Sequence, residues 1–429
     1  MQRKQFLGII IGVVALIALT FMLSGSAWGQ VKYKTLHTFW GGRDAYPHAP
    51  GLTLDAAGNL YGTSAMGGAF GAGQGYGTLF ALTPYPEGNW VERILHIFYN
   101  DDGADPRGSL IFDAAGNLYG TANTGGGSEG CSCGVVFKLT PISQGVWTYT
   151  VLHTFTGNSV DGANPDGTLI FDTAGNLYGT TEWGGKGWGS VFQLTPNSDG
   201  SWTEHTLYGF DRGSEGGYPW ADTLVFDTAG NLYGTTAYGG RPGCSPRGNG
   251  CYGLGVVFEL IPNSDGTWTE KVLHSFTAGK DGATPTGRLV LDAAGNLYGT
   301  TFWGGASNGN GNVYKLAPNP DGTWTEHVLH QFTAGKDGAA PFGGLRFDKA
   351  GDLYGTASAG GTYGYGVLFK LKPTSSGGWT YHVLHAFKGA PGASPEAAPI
   401  FDAAGNLYGT TNGNGTKTFG SVFKMTPVP

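Results

Sequence analysis

The sequence predicts an all-β fold, a seven-bladed β-propeller with four antiparallel strands per blade. Three observations predict it. First, the stretch Asp292-Ala-Ala-Gly-Asn-Leu-Tyr-Gly-Thr300 recurs, with small changes, seven times, beginning at Asp55, Asp113, Asp172, Asp227, Asp292, Asp348 and Asp402. The copies lie 54 to 65 residues apart, a spacing that signals a repeat architecture. Second, no window carries a 3.6-residue apolar period over helical length, whereas short runs alternate with period two. Third, the two ends complement each other. Residues 31–39 match the fourth strand of a repeat, and the chain stops at Pro429, just after a third strand. The N-terminal segment can therefore complete the last blade, closing the ring and covering an open edge.

One repeat, 287–342, shows the logic of each element. Leu289-Val-Leu-Asp292 is an apolar run that ends in a turn residue. Ala293-Ala-Gly-Asn296 is turn chemistry, because Asp bonds its own backbone two residues on, and Gly and Asn tolerate positive φ. Leu297-Tyr-Gly-Thr-Thr301 returns as the second strand of a hairpin. A Gly-rich loop leads to Asn312-Val-Tyr-Lys-Leu316, the third strand. Its aromatic position holds Phe80, Phe137, Phe192, Phe258, Tyr314, Phe369 and Phe423 across the copies. Each third strand runs into a proline, which cannot donate to a ladder and so closes it. After the turn Asn319-Pro-Asp-Gly322, Trp324-Thr-Glu-His-Val-Leu-His-Gln-Phe332 forms the fourth strand. Asp337-Gly-Ala-Ala-Pro341 then enters the next repeat.

Composition agrees. Charged residues and aromatics each make up 13% of the 429 residues, the opposite of a disordered chain. Glycine is abundant, at 79 residues, without a Gly-X-Y period, which excludes collagen. The formal net charge is -7 with no basic block, which argues against nucleic acid as a partner. Arg3 and Lys4 precede an apolar run over 6–23, and Ala27-Trp28-Gly29 offers small residues for cleavage before Gln30. Residues 1–29 thus read as a signal peptide, or as an N-terminal membrane anchor if uncleaved, and 30–429 as a single propeller. The expected location is exported: secreted, periplasmic or cell-surface. Membrane contact is expected only through the N-terminal segment. In an exported chain the four cysteines are compatible with disulfides. Cys244 and Cys251 flank one Gly-rich loop and are expected to pair, whereas a bridge between Cys131 and Cys133 is expected to be strained.

The long pattern L-x-F-D-A-A-G-N-L-Y-G-T-T-x-x-G-G, followed by G-V-V-F-K-L-T-P and W-T-E-x-V-L-H-x-F, resembles the tandem repeats of the bacterial GloVer family of exported proteins. The resemblance covers nearly all of the chain after residue 29 and implies fold and export, but no reaction. It also implies a variable C-terminal anchor, of which Pro427-Val-Pro429 shows no sign.

Function is expected on the face that carries the Gly-rich and Asp-Gly-Ala-x-Pro loops, since it varies most between copies. Trp40, Trp183, Trp188, Trp220, Tyr238, Trp303 and Tyr363 gather there as candidate ligand-binding aromatics, suited to sugar rings with apolar faces and polar edges. Tyr218, Tyr252 and Tyr365 join them. The matched acids Asp44, Asp102, Asp161, Glu215, Asp281 and Asp337, if near a central channel, could hold Ca²⁺; otherwise Asp-Gly is turn chemistry, and no other cofactor is expected. His37, His96, His153, His274, His330 and His385 recur in the fourth strand, with Tyr208 in the remaining copy, and are expected to make structural hydrogen bonds. The leading reading is a binding module for a glycan or an extracellular protein. The alternatives are a carbohydrate-active hydrolase or lyase, with a carboxylate pair drawn from Glu182, Asp211 or Glu215, and a structural cell-envelope protein.

Overall fold

A computed structural model describes residues 32–40, 51–68, 75–127, 131–143, 145–158, 160–219, 224–240, 254–305, 309–413 and 419–426. The leader and candidate anchor, Cys244, Cys251, Trp220 and Asp44 lie outside these residues. The described residues form seven antiparallel sheets, one per repeat. In the third blade the strands are Ile170–Phe171, Leu177–Gly184, Ser190–Pro196 and Trp202–Gly209, in that order from the inside out. The seventh sheet runs Lys32–Thr38, Ser421–Thr426, Leu407–Thr411, Ile400–Phe401. Tyr33 pairs with Met425 and Thr35 with Phe423, so the N-terminal strand supplies the missing fourth strand.

The repeated residues explain themselves in contacts. In the fifth blade the Asp292 carboxylate accepts from the Ala294 and Asn296 amides (2.9 Å each), the Asn296 side chain (2.7 Å) and the Tyr298 hydroxyl (3.0 Å). Burial alone would raise its pKa, but these donors hold it below the usual carboxylate range. The sixth blade places Asp352 where the others have Asn, and Lys370 pairs with it to neutralise the added charge. The glycine after the repeat tyrosine is required by a close approach: a Cβ on Gly179 would come within 2.6 Å of the Phe192 ring.

The repeat tryptophans join neighbouring blades. Trp202 sits edge-on to Tyr119 of the preceding blade (6.2 Å), and Trp90 does the same to Tyr408 across the closure (6.2 Å). Each junction so buries its own aromatic layer. The cores are therefore shared between blades; Tyr119, Phe155, Leu177 and Phe192 belong to one cluster.

Every fourth strand carries a bulge immediately before the repeat histidine. Phe80 pairs with Ile94 but Leu79 pairs with His96, so Leu95 is the extra residue. Paired residues share a face, and the bulge therefore turns His96 away from Ile94 and Glu92 toward the next blade.

Cys131 and Cys133 are joined by a disulfide, with Cα atoms 5.2 Å apart. The sequence leaves this pairing open, and the Cα separation lies within the usual disulfide range.

Candidate functional site

The acids of the Asp-Gly-Ala-x-Pro loops sit at the outer ends of those loops, beside the fourth-strand histidines. His96 Nε2 lies 2.9 Å from Asp102, and His153, His274 and His330 lie 3.2, 3.4 and 3.2 Å from Asp161, Asp281 and Asp337. Between the third and fourth blades both members change together, and the Tyr208 hydroxyl donates to Glu215; His37 lies 3.7 Å from Glu92, and the copy with His385 has no acid at the matched loop position. Burial keeps the His96, His274 and His330 imidazoles below their usual pKa although the aspartates pull them up. Among the described residues no group of three His, Cys, Asp or Glu side chains is placed to hold a metal ion. The described acids are thus distributed one per junction, and Asp102, Asp161, Asp281 and Asp337 each also accept from a backbone amide of their own turn, Asp161 from Thr156 at 2.9 Å.

From the acid, each loop runs inward to the mouth of the central channel. There the backbone repeats and the side chains do not. The residue before the loop proline has a left-handed φ of 51° to 58° in six blades: Asp105, Asn164, Tyr218, Thr284, Ala340 and Ser394. Non-glycine residues rarely adopt this conformation, and such positions cluster at functional sites. Two residues further on stand Arg107, Asp166, Thr286, Phe342 and Glu396. Just past the second-strand threonines stand Asn123, Glu182, Phe302, Ser358 and Asn412.

The charged members converge between the second and third blades. Arg107 lies 2.7 Å from Asp105, 3.6 Å from Asp166 and 3.5 Å from Glu182. Burial, reinforced by the neighbouring Glu182, pushes the Asp166 carboxyl well above the usual range. Burial also raises Glu182, although Arg107 opposes it. Two adjacent carboxylates of this kind do not both ionise readily, so the pair is poised to share a proton. Asp166 Oδ1 faces the Arg107 guanidinium at 3.6 Å and the Asn123 side chain faces Glu182, so both buried polar groups belong to the charged cluster.

A separate aromatic shelf lies between the third and fourth blades, because Trp183 follows Glu182 in the strand Leu177–Gly184 and successive side chains of a strand leave opposite faces. Trp183, adjacent in sequence to Glu182, meets Tyr218 at 4.6 Å and Trp188 at 5.9 Å. Tyr218 in turn meets Tyr238 at 5.4 Å, and the Arg212 guanidinium stacks 4.4 Å over Trp188. Trp183 remains 43% exposed, so the shelf presents an open ring face or edge. The structure therefore brings Trp183, Trp188 and Tyr238 together. Trp303 belongs to a second group with Phe302 (4.6 Å), Tyr363 lies under Lys388 (5.2 Å), and Trp40 is the most exposed of the six candidates that are described. Of the three carboxylates proposed for chemistry, Glu182 pairs with Asp166 instead. Asp211 accepts from the Gly213 amide (2.7 Å) in a turn, and Glu215 serves Tyr208. Asp166 and Asn123 escaped the sequence reading. Their signal was available, since each replaces an unrelated residue at a matched position of the repeat.

The chain belongs to the Gloeobacter/Verrucomicrobia repeat family, which matches residues 24–244 and 243–429. No curated protein matches it in sequence. Among solved structures it is similar to a gluconolactonase from Xanthomonas campestris, at 14% identity and a TM-score of 0.43, covering 91% of this chain and 98% of that one. It is also similar to a luciferin-regenerating enzyme, at 15% identity and a TM-score of 0.43, covering 75% of this chain and 91% of that one. Likeness at this level concerns fold alone.

Proposed function

We propose that this is an exported propeller that binds glycans on its loop face, at the shelf between the third and fourth blades. One observation carries the reading: an exposed tryptophan, Trp183, set in a cluster with Tyr218, Trp188 and Tyr238 on the loop face, next in the chain to the buried polar cluster at Glu182. Aromatic rings take the apolar face of a sugar. The Cys131–Cys133 disulfide supports a location outside the reducing cytosol, as do the apolar leader and its small-residue cleavage site.

The test is titration of purified 30–429 protein with an oligosaccharide panel, read by tryptophan fluorescence and calorimetry. Binding is expected to weaken at least tenfold, roughly the value of one good contact, in Trp183→Ala. A panel with no binder, or a binder indifferent to Trp183, would sink the proposal. Expression of the full chain with cell fractionation checks export; the mature protein is expected outside the cytoplasm.

The raised Asp166 and Glu182 carboxyls favour a second reading, acid–base hydrolysis of the bound glycan. It requires product release from a bound polysaccharide that disappears in Glu182→Gln while binding persists.

A further inference from the structure

The central channel is lined by the first strands of the blades and encloses about 420 Å³. Its walls are mostly the apolar residues this position demands, such as Leu52, Leu110, Leu345 and Ile400. Two arginines interrupt them, Arg288 from the fifth blade and Arg346 from the sixth. Arg346 stands where other blades carry Ile111, Ile170, Val225, Val290 and Ile400, so the repeat does not require it. Arg288 stands where the third blade carries Thr168.

Their placement is tight. Gly344, two residues before Arg346, packs so close to Arg288 that an added Cβ would fall 2.4 Å from the Arg288 Cβ. The two guanidinium groups feel one another: burial and then the Arg288 charge both hold the Arg346 pKa below the ordinary value. Among the described residues neither forms an ion pair with a carboxylate, although the chain as a whole carries more acids than bases. The mouth cluster supplies a contrast, since Arg107 there faces three acids. Arg288 is half-buried and Arg346 reaches the solvent of the channel, so two like charges share one walled space with no facing carboxylate among the described residues, an arrangement that a bound anion would relieve.

We propose that the central channel is a binding site for an oxyanion, held between Arg288 and Arg346. Guanidinium groups recognise carboxylate, sulfate and phosphate through paired N–H donors, and a walled channel strengthens those bonds over their value in water. A cavity of about 420 Å³ admits a small anion or the acidic end of a larger ligand, not a polymer. This site is separate from the loop-face shelf and does not depend on the glycan reading.

The experiment is a thermal-shift and calorimetric titration of the 30–429 protein with sodium sulfate, sodium phosphate and sodium acetate. Each is used at millimolar concentration, with ionic strength balanced by sodium chloride. The wild type is expected to gain stability from at least one of the three in a saturable way. That gain is expected to vanish in the double variant Arg288→Thr, Arg346→Ile, which installs residues the repeat already uses at these positions. Comparing acetate with the two dianions then assigns the preferred charge. Arg346→Ile alone is expected to raise the melting temperature in plain chloride buffer, because it removes an uncompensated charge. The double variant keeping the full anion response would overturn the proposal, since the anion would then bind elsewhere. So would a wild type that responds to none of the three.

Discussion

Removing residues 30–39 is expected to abolish the folded monomer. The strand Lys32–Thr38 is the outer strand of the seventh sheet and the link between the seventh blade and the first. Tyr33 stacks on His385 of the sixth blade at 4.1 Å and on Phe423 at 5.6 Å. Phe39, fully buried, packs on Phe80 of the first blade at 5.3 Å. Loss of one buried Phe costs about 3–5 kcal/mol, and the truncation also strips the ladder from Ser421–Thr426. Together these losses approach the roughly 5–15 kcal/mol that holds a typical domain folded. The bared edge is a template for pairing with another chain, so oligomers or aggregates are expected in size-exclusion chromatography. Tyr33→Ala is the milder form, expected to cost about 3 kcal/mol and to lower the melting temperature without changing oligomeric state. A truncated protein that stays monomeric and melts like the full chain would show that the ring does not depend on this closure.

The second large effect is on pH. At three junctions the fourth-strand glutamate of one blade faces the acid of the preceding one. Burial, with the charge of Asp161, pushes Glu204 up to about 7, against the opposing pull of Thr206 and His153. Burial, Glu215 and Asp211 push Glu270 to about 8, with Lys186 opposing. Burial and Asp281 push Glu326 to about 7. The three folded pKa values lie above the unfolded value, so the folded state binds these protons more tightly. The stability they contribute is fully present below about pH 4.5 and is lost as pH rises through 7 to 8. All three are partly solvated, so a contribution on the order of 1 kcal/mol each is reasonable after screening. The hairpin aspartates Asp113, Asp172, Asp227, Asp292 and Asp402 act oppositely. Their pKa values are depressed, so their contribution holds above the unfolded value near 3.8 and fades below it. The depressed imidazoles of His96, His274 and His330 contribute stability that is lost as pH falls below their unfolded value near 6.5. Maximal stability is therefore expected near neutrality, with a melting temperature that falls as pH rises through about 7 to 8. The triple variant Glu204→Gln, Glu270→Gln, Glu326→Gln should flatten the alkaline limb. An unchanged pH profile in that variant would show that the junction acids do not titrate as described.

Much of this molecule is written in its repeat. The Asp-Ala-Ala-Gly-Asn hairpin, the strand-closing prolines and the match of the N-terminal segment to a fourth strand all act locally or by simple pairing. The chain therefore specified a closed seven-bladed ring by itself. The repeat tyrosine and tryptophan were legible as packing residues, but not as partners across a blade junction, because that contact joins residues more than eighty positions apart, as in Tyr119 and Trp202. The fourth-strand bulge was equally hidden. Strict alternation puts His96 and Glu92 on one face, and a single extra residue sends them to opposite neighbours. That inversion places the histidines on the loop acids at the rim, and leaves the channel mouth to the residues that follow. The candidate site was half legible for a related reason. Symmetry breakers such as Glu182, Trp183 and Arg107 stand out in any comparison of the copies, but Asp166 sits in a loop whose neighbouring acid is common to most copies. Only the packing of neighbouring blades brings Arg107 and Asn123 of the second against Asp166 and Glu182 of the third, and sets Arg288 of the fifth beside Arg346 of the sixth.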